Sequence, residues 1–184
     1  MTDATGVAAL ARVLADRSRA AMCLAMLDGS SWTVTELVGP PPAPASSLRA
    51  VGARRRLAAA RTCYDHLAGR LGVAVMDALQ DRGLVDPAAG LALTSRGERW
   101  FEELEIDIAE LRSQRRAFVR ECVDWTERRP HLAGSLGAAL CDRFQELQWV
   151  RRPDRTRRLE VTAPGQRALH NLLGVEPADL VVIV

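Results

Sequence analysis

One stretch of this 184-residue chain occurs twice, and a duplicated unit limits the possible folds more than any other feature. Residues 66–79 read HLAGRLGVAVMDAL and residues 131–144 read HLAGSLGAALCDRF, an offset of 65. The likeness runs on. Gly83-Leu84-Val85 leads to Leu91-Ala92-Leu93-Thr94-Ser95-Arg96-Gly97, and Trp149-Val150 leads to Leu159-Glu160-Val161-Thr162-Ala163-Pro164-Gly165. Each copy reads as helix, short two-stranded hairpin, helix. The strands alternate apolar and polar residues, and Thr94 and Thr162 stand where a helix N-cap belongs. The repeats span about residues 62–107 and 122–175, and two copies do not make a long solenoid. Between them the pattern predicts one long Arg- and Glu-rich helix, from about Glu98 to Trp125.

Upstream, Ala8, Leu10, Ala11, Val13 and Leu14 form one apolar stripe, and residues 20–27 form a second helix that Asp28-Gly29 stops. Thr33 can cap a short third helix, with Glu36 three residues on as its capping-box partner. Gly39-Pro40-Pro41-Pro42-Ala43-Pro44 then ends regular structure in a polyproline-like spacer. Ser46-Ser47 caps a helix expected over about Leu48–Thr62, carrying Arg54-Arg55-Arg56. The expected organisation is residues 1–38, a Pro-rich junction over 39–47, and the duplicated module over 48–184. The final Leu180-Val181-Val182-Ile183-Val184 is an apolar tail, suited to an edge strand or to packing on a partner.

Composition narrows the function classes. The chain is 48% hydrophobic and 26% charged, enough to bury a core and carry a charged surface. Its apolar runs are too short to span a bilayer, and no signal peptide is recognisable, so a cytoplasmic protein with no membrane partner is expected. Net charge is only +2, and all 25 cationic residues are arginine. Four widely spaced cysteines, Cys23, Cys63, Cys122 and Cys141, include no CxxC pair and read as reduced thiols. GxSxG, P-loop and GxGxxG motifs are all missing, and no Ser, His and Asp are positioned as a catalytic set, which argues against an enzyme.

Leu14-Ala15-Asp16-Arg17-Ser18-Arg19 followed by CLAMLDGSSWTVTELV resembles the first helices of ArsR-family winged helix-turn-helix transcriptional regulators. The stretches RTCYDHLAG (Arg61 to Gly69) and CVDWTERRPHLAG (Cys122 to Gly134) resemble a long-tailed branch of that family. The resemblance covers about residues 5–38 and 48–174. It implies a mainly α, winged-helix-like fold with short β-hairpins: a partial N-terminal helix-turn-helix, then the duplicated module as an effector domain. It further implies a homodimer that binds double-stranded DNA as a repressor. One departure stands out. In the family, a recognition helix enters the major groove and a β-wing lies on phosphate. Here Val38 runs directly into Gly39-Pro40-Pro41-Pro42, and the segment that would supply both is not in the sequence. An alternative is therefore a ligand-binding or protein-interaction dimer that no longer reads DNA.

The remaining candidates for DNA contact are Thr33, Thr35 and the second hairpin, where Arg151, Arg152, Arg155, Arg157 and Arg158 can lie along phosphates or simply form a solvated tip. For an effector, three readings stay open. Arg61, Tyr64, Asp65, His66, Asp124, Trp125, Arg128 and His131 can line a cleft for an unknown small molecule, or lock the repeats together as a buried network. Cys63, His66, Cys122 and His131 can form a Cys2His2 set for a transition metal such as zinc if both repeats face one cavity, although the Cys–His separations differ, three against nine. His66 and His131 can instead cap the helices that follow them. Arg61 and Arg120 each lie two residues before a cysteine, so a redox-sensing thiol is a further possibility. Cys23 and Cys141 sit on apolar faces and read as core.

Overall fold

The computed structural model describes residues 48–88 and 90–180, all within one compact unit, Ala45–Val184. The expected helix-turn-helix over 1–38 with Thr33, Thr35 and Cys23, the Pro-rich junction over 39–47, and residues 181–184 of the apolar tail lie outside the described residues.

The module opens with α1 (Leu48–Ala59). The first repeat follows as β1 (Arg61–Cys63), β2 (His66–Ala68), α2 (Gly69–Asp81), β3 (Val85–Asp86), β4 (Ala92–Leu93) and α3 (Ser95–Glu103). A short helix, α4 (Ile108–Ser113), connects it to the second repeat: β5 (Arg120–Val123), β6 (Pro130–Ala133), α5 (Gly134–Glu146), β7 (Val150–Arg151), β8 (Glu160–Val161) and α6 (Ala163–Leu173). α7 (Pro177–Leu180) ends the described chain. Each repeat is thus hairpin, helix, hairpin, helix. Among the described residues the strands form four antiparallel two-stranded pairs. This mixture of helices and short hairpins is compatible with a winged-helix-like fold. Among the described residues, no helix is long and apolar enough to cross a membrane.

Local chemistry explains the boundaries. Thr94 and Thr162 cap α3 and α6 in the same way. Each hydroxyl accepts from the amide three residues on, Gly97 at 3.0 Å and Gly165 at 3.1 Å. Each donates to a carbonyl of the preceding turn, Gly83 at 2.7 Å and Gln148 at 2.6 Å. The cap therefore also closes the hairpin below it.

Three expectations need correction. The helix expected to Thr62 ends at Ala59, and Arg61 begins a strand. HLAG does not open a helix with histidine. His66 and His131 lie on strands β2 and β6, and neither following helix has a side-chain cap. Nor is the segment from Glu98 to Trp125 one helix. α3 stops at Glu103, with Glu105 at φ 59°. Leu104, Ile106 and Ile108 then enter the core at alternate positions, a period that a helix cannot satisfy. Asp107 restarts the chain as α4, its carboxylate accepting from the Glu110 amide at 2.9 Å.

The core holds Leu71, Val75, Met76 and Leu79 of α2, Leu136, Leu140, Cys141 and Phe144 of α5, Phe101 of α3, and Leu169 and Leu173 of α6. The repeats pack reciprocally: α2 lies on β6, α5 lies on β2, and β2 meets β6. Gly72 and Gly137 permit the close approach. A Cβ on Gly72 would lie 2.5 Å from the Leu67 carbonyl oxygen and 3.4 Å from the His131 Cβ. A Cβ on Gly137 would lie 2.6 Å from the Leu132 carbonyl oxygen and 3.4 Å from the His66 Cβ. Such reciprocity is what a two-fold relation between the repeats produces, and it brings the two HLAG strands together.

Candidate functional site

The two longer hairpins carry the candidate chemistry. In β1–β2, Cys63 pairs directly with His66; in β5–β6, Cys122 pairs directly with His131. Directly opposed residues project to the same side of a hairpin. The separations of three and nine arise from the turns, Tyr64-Asp65 in one hairpin and Asp124 to Arg129 in the other. In register the two Cys–His pairs are equivalent.

Docking of β2 on β6 sets these pairs face to face. One ligand-type atom from each of Cys63, His66, Cys122 and His131 lies within 4.8 Å of the others. The sulfurs are 3.9 Å apart. The imidazole centroids are 5.1 Å apart, with the ring planes tilted by 30°. His66 is 3% exposed and His131 1%, while both cysteines are half-buried. The Cys63 thiol is pushed far below its ordinary range, chiefly by the Cys122 thiol and then by the two imidazoles. Cys122 is pushed upward by Cys63 and by burial. Cys141 is a different kind of thiol: burial and nearby Asp142 push it up to about 12, and it belongs to the core.

A carboxylate stands two residues after each of these two cysteines. Asp65 Oδ1 is 3.2 Å from His66 Nδ1, and Asp124 Oδ2 is 3.9 Å from His131 Nδ1. Each carboxylate is also held by an arginine. Arg116 bonds Asp65 at 2.6 Å and reaches the Gly134 carbonyl at 3.1 Å; its guanidinium holds the Asp65 carboxyl below its usual range. Arg61 makes the deeper pair. It bonds both oxygens of Asp124, at 2.8 and 2.7 Å, with both side chains essentially inaccessible. It also donates to the Leu57 carbonyl of α1 at 3.1 Å and stacks 4.7 Å over the Trp125 ring. Asp124 in turn accepts from the Gly69 amide at the start of α2 and from the backbone of Thr126 and Glu127. Burial pushes its carboxyl up, but Thr126, Gly69 and Arg61 together hold it well below the usual carboxylate range.

The eight residues expected to line a cleft therefore divide. Arg61 and Asp124 form a buried strut between α1, α2 and the β5–β6 hairpin, with the Trp125 ring stacked against it. His66 and His131 belong to the thiol cluster, and Asp65 supports it. Tyr64, at φ 57°, is 89% exposed, and Arg128, at φ 56°, is also at the surface; both occupy turns. Two surface concavities lie elsewhere. One is bordered by Arg82, Trp100 and Leu172, the other by Leu57, Asp154 and Arg158. Arg116 was not legible as a site residue, because its sequence neighbours suggest only a solvated charged face. The shared Cys-x-Asp spacing was the available signal for the two carboxylates.

On the Arg-rich hairpin, Arg151 and Arg158 pair with Glu160 at 2.8 and 3.1 Å, and Arg152 donates to the Gln145 side chain at 3.2 Å. Arg155 and Arg157 are exposed at the tip. The base of the tip is anchored to the first repeat: the Thr62 amide donates to the Arg157 carbonyl at 2.8 Å, and the Leu159 amide to the Ala60 carbonyl at 2.9 Å.

The chain is 39% identical over 137 residues to an uncharacterized HTH-type transcriptional regulator, YdfF, of Bacillus subtilis (strain 168). The match takes in 74% of this chain, and the chain spans 61% of that relative's length. No family model matches, and no solved structure matches.

Proposed function

We propose that this protein is a DNA-binding transcriptional regulator, with the duplicated module as its effector domain. The observation that carries the reading is the 39% identity over 137 residues to an HTH-type regulator. The resemblance of residues 5–38 to ArsR-family helices supports the finer form: an ArsR-type repressor acting as a homodimer in the cytoplasm, and not an enzyme. The geometry of the module suits an effector role. Its two repeats meet at a cluster of reactive side chains drawn equally from both, so a ligand bound there acts on the relation between the repeats. A coupling free energy of about 1–3 kcal/mol between that site and DNA is typical of such regulation.

The test is binding of the purified chain to the DNA upstream of its own gene, against unrelated DNA of equal length, over a salt series. Sequence-selective binding that survives moderate salt supports a regulator. Equal, weak binding to both DNAs that disappears with moderate salt overturns it in favour of a ligand-binding or protein-interaction dimer.

A further inference from the structure

We infer that Cys63, His66, Cys122 and His131 form a tetrahedral site for a divalent cation of the zinc class, with one Cys–His pair supplied by each repeat. Its role as the effector site rests on the regulator reading above; the site itself rests on geometry.

The spacing fits. Zinc–sulfur bonds of about 2.3 Å at tetrahedral angles place two sulfurs about 3.8 Å apart, and the Cys63 and Cys122 sulfurs are 3.9 Å apart. All four donor atoms already lie within 4.8 Å of one another, so the two hairpins bring the whole set to one place.

The polar atoms point the same way. His66 Nε2 and both ring nitrogens of His131 are buried without a hydrogen-bond partner. Buried polar groups are normally satisfied, and two imidazoles drawn from two hairpins onto one point are satisfied together by a metal ion. A disulfide between Cys63 and Cys122 would leave those nitrogens as they are. His66 also has the outer partner that metal-bound histidine usually keeps: its Nδ1 faces Asp65, which leaves Nε2 as the ligand atom.

Donor chemistry and charge select the ion. Thiolate with imidazole favours zinc-like and other borderline-soft cations over magnesium or calcium. Two thiolates and a divalent cation sum to zero, and the neighbouring Arg61–Asp124 pair already cancels itself. A monovalent ion would leave one net negative charge at a half-buried site. Four protein ligands fill a tetrahedral shell with no position for substrate, so the site is structural or sensory rather than catalytic. Two ligands from each repeat make the ion a fastener between them.

The experiment uses the full chain, reduced and chelator-treated, titrated first with cobalt(II) and then with zinc(II). The expected result is one equivalent of cobalt bound, with tetrahedral ligand-field absorption and charge-transfer intensity for two thiolates, displaced by zinc. Cys63→Ser and Cys122→Ser should each weaken binding at least as much as the roughly 10–100-fold loss typical of outer-shell changes. Cys141→Ala, outside the cluster, should keep the spectrum. An octahedral or thiolate-free spectrum in the unmodified chain overturns the site, and because that spectrum needs no variant, a misfolded mutant cannot mask the answer. A reduced chain that takes no metal but cross-links Cys63 to Cys122 on oxidation overturns it in favour of a thiol switch. Repeating the DNA salt series with and without zinc separates the readings. Metal binding with unchanged DNA affinity overturns the effector role alone. Metal binding without selective DNA binding overturns the regulator reading while the site stands.

Discussion

The imidazoles of His66 and His131 lie 5.1 Å apart although 65 residues separate them in the chain. Neither helix-forming propensity nor strand pairing within a repeat brings them together. The approach follows from docking α2 on β6 and α5 on β2, which turns the same strand of each copy toward the other.

That docking depends on two missing side chains. A Cβ on Gly72 or Gly137 would meet a carbonyl oxygen of the preceding strand at 2.5 or 2.6 Å, and the opposite histidine at 3.4 Å. Gly72→Ala and Gly137→Ala are each expected to cost about 1–3 kcal/mol through overpacking, measured by urea unfolding. They should also push His66 and His131 apart, so the double variant should lose more metal affinity than stability explains. A Gly72→Ala variant as stable as the unmodified chain would contradict the close approach.

The duplication and the Thr caps were legible in the sequence because both are local patterns: a repeated string, and a threonine three residues before a glycine. The Cys–His equivalence was only half legible. A two-residue turn in one hairpin and a six-residue turn in the other give unequal spacings, and only strand register shows that Cys63 stands to His66 as Cys122 stands to His131. The three-residue strand at His66 was hidden because HLA continues without a break into the apolar face of α2. The segment after Glu103 misled for a similar reason: its charged residues suit a helix, while burial of Leu104, Ile106 and Ile108 imposes another path.

Arg61 and Asp124 are expected to behave as a buried pair. Removing one partner, as in Arg61→Met or Asp124→Asn, should cost about 3–5 kcal/mol, because the other charge is left uncompensated. The double variant should lose less than the sum of the singles. The pH dependence has a definite sign. The folded Asp124 carboxyl titrates below its unfolded value of about 3.9, so its contribution is complete above that value and is lost as pH falls toward the folded one. Thermal melts should show the unmodified chain weakening below about pH 5, with Asp124→Asn less stable at neutral pH and flatter across the acid range. Parallel acid profiles would mean that Asp124 does not set the acid limit.

The two threonine caps offer a symmetric test. Thr94→Ala and Thr162→Ala each remove the bond to a helix amide and the bond to the turn carbonyl below. Each should destabilise the module by about 0.5–2 kcal/mol. Serine at either position keeps the hydroxyl and should restore most of the loss. Amide exchange should locate the effect, with α3 opening in one variant and α6 in the other.

The Arg-rich hairpin separates phosphate binding from simple surface charge. Arg151 and Arg158 are engaged by Glu160, whereas Arg155 and Arg157 are exposed at the tip. If the tip lies on DNA backbone, Arg155→Gln with Arg157→Gln should weaken binding to selective and unrelated DNA alike. It should also shallow the slope of log affinity against log salt by about 0.9 for each phosphate no longer neutralised, or about 1.8 for two. Thermal stability should not change, since neither side chain supports the hairpin, whose anchoring runs through the Arg157 carbonyl and the Leu159 amide. An unchanged salt slope with intact folding would make the tip a solvated surface and confine DNA binding to other parts of the chain.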